Sequence, residues 1–161
     1  MPAPEISVMR MSPRSIAVLV SAALVAACSN ESGPWLDVTG GSFIFNFRLA
    51  TASAGIIVVA ERELPDGSVV EVAFENPAGG PPLVLAERAA PGVRHFSFTF
   101  EPLSGIEADV DYLATVRLLD AEGKELERID TPYRSQVDQS ILGDKPLTVG
   151  PGYAPNPASA R

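Results

Sequence analysis

The chain has 161 residues, with 20 Asp and Glu against 12 Lys and Arg, a formal charge of −8 and one cysteine. An acidic chain with scattered bases lacks the basic footprint that nucleic acid requires, and a single cysteine excludes a disulfide framework and a cysteine-built metal site. The stretch after residue 27 is long enough for one domain with a real core and short for two, so stability has to come from packing.

The first element is an export signal over residues 1–27: Arg10 and Arg14 precede an apolar run from Ile16 to Ala27, and Cys28 comes directly after it. That run is too short to span a bilayer, which takes about 20 apolar residues. Met1 to Val8 carries no charge pattern useful to a signal, so Met1, Met9 and Met11 all stay open as the start of translation. The residues Val25-Ala26-Ala27-Cys28 resemble the lipobox of bacterial lipoproteins, in which an aliphatic residue and two small ones precede the lipidated cysteine. The resemblance implies acyl chains on Cys28 and, from Ser29 beside it, sorting to the outer membrane. The alternative is an ordinary secretory cleavage site that leaves Cys28 incidental. Since each buried methylene contributes about 0.8 kcal/mol and one chain binds only marginally, two or three chains on Cys28 give stable attachment.

Residues 28–41 (CSNESGPWLDVTGG) are small and polar and read as a tether. Trp35 either packs on the domain with Leu36 as a first short strand or sits at the lipid interface. From Ser42 to Ala50 the apolar residues Phe43, Phe45, Phe47 and Leu49 alternate with Asn46 and Arg48 on the other face, which predicts a half-buried strand. Gly55 to Arg62 is apolar on both faces and β-branched, hence a central strand. The turn Pro65-Asp66-Gly67 leads to Val69–Glu75, and the two runs are expected to form a hairpin. A short strand over 83–88, at an edge, comes after the loop 76–82. Val93–Phe100 puts Phe96, Phe98 and Phe100 on one face. Tyr112–Leu119 and a last strand from Glu125 to about Ser135 are joined through Ala121–Lys124, and Pro132 places that last strand at an edge.

About seven strands at regular spacing predict an all-β fold, a single antiparallel β-sandwich over residues 42–142, with an N-terminal signal helix and an extended Pro/Gly-rich tail over 143–161. Ile106, six residues before Tyr112, together with Asp120-Ala121-Glu122-Gly123-Lys124, resembles the corner and last hairpin of fibronectin type III and other immunoglobulin-like sandwiches. There the tyrosine hydroxyl bonds back to the corner backbone. Over Leu64 to Tyr133, the segments Leu64-Pro65-Asp66-Gly67, Phe96-Ser97-Phe98 and Tyr112 through Leu126 resemble small β-sandwich lipoproteins of the YscW/YbaY type. That resemblance implies a pilotin-like chaperone role for an outer-membrane secretion complex, and the extra strand 55–62 and the long tail depart from the pattern.

Residues that could carry chemistry are few. His95 is the only histidine and stands in an alternating strand beside Ser97 and Thr99, with no Gly-x-Ser-x-Gly or His-Glu-x-x-His motif anywhere, so it reads as a solvent-facing strand residue. Glu107, Asp109 and Asp111, with Asp120 and Glu122, offer oxygen atoms to calcium but lack the order of a calcium loop. No metal site, cofactor or catalytic residue is expected. In the tail, Leu147, Val149 and Tyr153 either anchor a docking peptide or pack back on the sandwich. The expectation is therefore a lipid-anchored, non-enzymatic envelope lipoprotein that binds a protein partner by an edge strand or its tail, with a carbohydrate-binding module or small periplasmic enzyme as the alternative.

Overall fold

The computed structural model describes residues 33–159, so the expected signal helix, Cys28 and the segment 29–32 lie outside the described residues. Seven strands form two antiparallel sheets: β1 (Leu36–Asn46), β2 (Thr51–Ala60), β3 (Val69–Phe74), β4 (Leu83–Arg88), β5 (His95–Leu103), β6 (Asp111–Leu119) and β7 (Glu125–Arg134). One sheet has the order β1-β2-β5 and the other β4-β3-β6-β7, an immunoglobulin-like sandwich as expected. The sandwich lies within one compact unit, Pro34–Arg161. Among the described residues, helical structure is limited to short 3-10 turns at Gln139–Ile141 and Pro157–Ser159, and none is long and apolar enough to cross a membrane.

Period-two alternation builds the core. Ala52, Ala54, Ile56, Val58 and Ala60 of β2 face inward, opposed by Val70, Val72 and Phe74 of β3 and by Ala114, Val116 and Leu118 of β6. The small side chains of β2 leave room for the phenyl rings of β5, Phe96, Phe98 and Phe100, all nearly inaccessible to solvent. Phe74 stacks on Phe100 with ring centroids 5.4 Å apart and meets Phe43 and Tyr133 edge-on. Each such ring contributes about 1.5–3 kcal/mol by burial. The corner motif is present: the Tyr112 hydroxyl accepts from Glu107 N–H at 2.8 Å and donates to the Gly105 carbonyl at 3.3 Å, with Ile106 buried beneath. Gly105, at φ 80°, lies against the β3–β4 loop, where an added Cβ would stand 2.8 Å from the Pro77 carbonyl oxygen.

Three expectations are corrected. Strand β1 starts at Leu36, inside the segment read as a tether, and stops at Asn46. The Asn46 side chain accepts from the backbone N–H groups of Arg48 and Leu49 and so closes a turn, which leaves Phe47 and Leu49 exposed despite their regular spacing. Next, β2 and β3 are not a hairpin. Each already has two neighbours, β1 and β5 for β2 and β4 and β6 for β3, and the linker between them crosses from one sheet to the other. Lastly, the tail is not merely extended. Its segments β8 (Thr148–Val149) and β9 (Ala154–Pro155) pair as a small ribbon. The edge positions of β4 and of β7 with its Pro132 are as expected.

Candidate functional site

The two sheets meet unevenly along the side formed by β1 and β7. At the start of β1, the Glu127 carboxylate accepts from the N–H groups of Trp35 and Leu36 at 2.8 and 2.9 Å. Further along, the Tyr133 hydroxyl donates to the Gly40 carbonyl at 3.2 Å. Residue 36 thus lies beside 127 and residue 40 beside 133, so the two strands run in the same direction. Their approach depends on Gly41, because a Cβ there would stand 2.0 Å from Cε1 of Tyr133. Burial of Tyr133 pushes its phenol pKa up.

Along this contact lies an open groove of about 600 Å³, lined by 38–43 and Phe45 on one side and 131–137 on the other. Half-buried Phe43 and Phe45 and exposed Val137 give it an apolar surface. Among the described residues, strand β1 pairs only with β2 and strand β7 only with β6, so within these residues each keeps a backbone edge without a ladder partner. The one charged side chain lining the groove, Arg134, is held by both carboxylate oxygens of Asp111 at 2.7 and 2.6 Å. Such a groove can take an extended apolar segment, with backbone hydrogen bonds for affinity and side-chain contacts for selection.

Two smaller clefts flank the sandwich. One, of about 270 Å³, lies between the β2–β3 and β4–β5 loops and is lined by Leu64, Pro65, Pro91 and Val93 with Glu63 and Asp66. Arg94 at its wall donates to the carbonyls of Ala60 and Glu61. The other, of about 470 Å³, lies between the tyrosine corner and Gln139–Asp144.

His95 is exposed at the first position of β5 and lines none of these clefts. The acidic residues are spread over separate tasks: Asp111 pairs with Arg134, and Asp120 accepts from the N–H groups of Glu122 and Lys124 and so shapes the β6–β7 turn. No three His, Cys, Asp or Glu side chains among the described residues converge as metal ligands. In the tail, Thr148 donates through its N–H and its hydroxyl to the Arg48 carbonyl, and the Arg48 guanidinium lies 4.5 Å over the Tyr153 ring. The tail therefore packs back through its backbone and Arg48, while Leu147, Val149 and Tyr153 stay about half exposed. Sequence reasoning missed the groove. Its one sequence signal is Gly40-Gly41, since glycine inside a strand marks close approach of another chain segment.

No family model matches the sequence, and no curated protein matches it. A similar solved structure, described as the crystal structure of endonuclease/exonuclease/phosphatase from Beutenbergia cavernae DSM 12333, has a TM-score of 0.34 and 14% identity over 67% of this chain. The chain covers 41% of that protein's length. The expectation that the chain is not an enzyme stands against this finding, a structure described as that of an enzyme. At that TM-score and identity it assigns neither nuclease nor phosphatase chemistry to any residue here.

Proposed function

We propose that this protein is a lipoprotein of the bacterial cell envelope, anchored through acyl chains on Cys28, whose sandwich binds an extended segment of an envelope protein in the groove between β1 and β7. The observation that carries the binding site is the pair of strand edges without a ladder partner among the described residues, flanking an apolar groove of about 600 Å³. The anchor is read from Val25-Ala26-Ala27-Cys28 behind its basic and apolar stretches.

The test is affinity purification from detergent-solubilised membranes, with co-purifying proteins identified by mass spectrometry. Cys28→Ala is expected to move the protein from the membrane to the soluble fraction. Val137→Glu, at an exposed position in the groove, is expected to lose the co-purifying protein while melting at the native temperature. Retention of the same partner by Val137→Glu sinks the groove, and membrane attachment of Cys28→Ala sinks the anchor.

A further inference from the structure

The outer surfaces of the two sheets differ in charge. On the β4-β3-β6-β7 sheet, Glu71, Arg117 and Glu125 pair across β3, β6 and β7, Arg128 pairs with Asp130, and Arg134 pairs with Asp111. Among the described residues, no such pair stands on the outer surface of β1-β2-β5. Its cross-strand rows read Gly40, Ile57, Ser97 and then Ser42, Gly55, Thr99, with Ile44 beside Ser53 next in line. Among the described residues, acidic side chains stand only toward its ends, at Asp37 and Glu101, and the exposed His95 shares the row of Asp37 and Val59. Ile57 is 44% exposed and Ile44 54%. The surface continues into the β1–β2 turn and the tail, where Phe47, Leu49, Leu147, Val149 and Tyr153 are all exposed. Exposed apolar side chains gathered at one end of a sheet mark a candidate interaction site. In this part of the molecule, 44–53 and 143–158, Arg48 and Lys145 stand against one acid, Asp144, although acids outnumber bases 20 to 12 in the chain.

We infer that the outer face of β1-β2-β5, with the β1–β2 turn and the tail at its end, lies against a bilayer containing anionic phospholipid. The inference rests on the reading of Cys28 as the lipid anchor. Seven residues lie between Cys28 and Leu36, and the eight Cα–Cα steps reach at most about 28 Å, so the domain is held close to the lipid surface. An acidic domain so near an anionic surface is repelled by it, over a Debye length of about 8 Å, unless it turns an uncharged or basic side inward.

Standing on its near end does not meet that condition. The loops there, 61–68, 89–94 and 120–124, hold Glu61, Glu63, Asp66, Asp120 and Glu122 against Arg62, Arg94 and Lys124. Lying on the ion-paired sheet would remove those charged side chains from water. Lying on β1-β2-β5 presents the uncharged rows, inserts the apolar side chains of the turn and tail, and brings Arg48 and Lys145 to the phosphates. The groove between β1 and β7 stays open at the side for a protein segment.

The test uses the lipidated full chain reconstituted in vesicles of phosphatidylethanolamine with phosphatidylglycerol. A polarity-sensitive dye is placed by Phe47→Cys, Ile57→Cys, Thr115→Cys or Arg128→Cys in turn, the thiol of Cys28 being blocked by its lipid. Dyes at positions 47 and 57 are expected to shift to shorter wavelength and to be quenched several-fold more by brominated lipid than dyes at 115 and 128. Arg48→Glu with Lys145→Glu is expected to abolish the difference at position 47. Equal quenching on both sheets overturns the inference, as does quenching confined to positions 115 and 128. Shielding of position 57 in native membranes but not in protein-free vesicles also overturns it, by assigning the face to a protein. Flotation separates the two readings: a chain that floats with vesicles but shows no sidedness keeps its anchor and loses its orientation, and a chain that does not float loses both.

Discussion

Gly41 lies in β1 under the ring of Tyr133, and its hydrogen is all that fits there. Adding one methyl group forces the ring or the strand to move, an overpacking that costs about 1–3 kcal/mol. Gly41→Ala is expected to lower the melting temperature by several degrees in a thermal scan, whereas Gly55→Ala, with open space at its Cβ position, should not. Single titrating groups also give stability a pH dependence. A hydrogen bond from Arg134 holds the Asp111 carboxyl below its ordinary pKa of 3.8, and Thr115 together with Arg128 does the same for Asp130. Their contribution is complete above that ordinary value and is lost as the pH falls through the lower folded-state values. Tyr133 has the opposite sign. Burial raises its phenol above 10.0, so its contribution is complete below pH 10 and is lost as the pH rises through the raised value. Melting temperature measured against pH should fall at both extremes, with the acid limb flattened by Asp111→Asn and the alkaline limb by Tyr133→Phe.

Between elements, the Glu127 carboxylate ties the start of β1 to β7 through two backbone N–H groups. Glu127→Ala is expected to speed amide hydrogen exchange at Trp35 and Leu36 by tenfold or more while exchange in β3 and β6 stays slow; no change at those two amides would mean the clamp adds nothing. Strands with strict alternation, such as 96–100 and 112–118, were legible in the sequence, as were the corner at Tyr112 and the edge strand with Pro132. Pro65-Asp66-Gly67 was legible as a turn, and Ser68 N–H does bond to the Pro65 carbonyl. A turn is local, however, and does not say which sheet the next strand joins. The register of β3 with β6, Glu71 opposite Arg117, is set by packing across 46 residues. For the same reason the groove was not legible. It is assembled from residues about 90 positions apart, and the Gly40-Gly41 pair that permits it looks locally like spacer sequence.

For the molecule as a whole, one core shared by both sheets implies one cooperative transition. Trp35, the single tryptophan, sits at the clamped start of β1 under the Arg62 guanidinium. Its fluorescence and the far-ultraviolet circular dichroism of the sheets should therefore report the same guanidinium chloride midpoint. An earlier fluorescence midpoint would show that β1 detaches before the core opens. Strand β1 enters at the end of the sandwich where its first residue faces Ala60, and it pairs with β2 along nearly its whole length, from Leu36↔Ala60 to Asn46↔Thr51. A force drawn through the chain ahead of Trp35 along the strand axis thus loads the β1–β2 ladder in shear, with its hydrogen bonds sharing the strain together instead of unzipping one by one. A domain tethered at that point is built to hold under tension, and it would yield far more readily to a pull applied at the Asn46 end, across the strand.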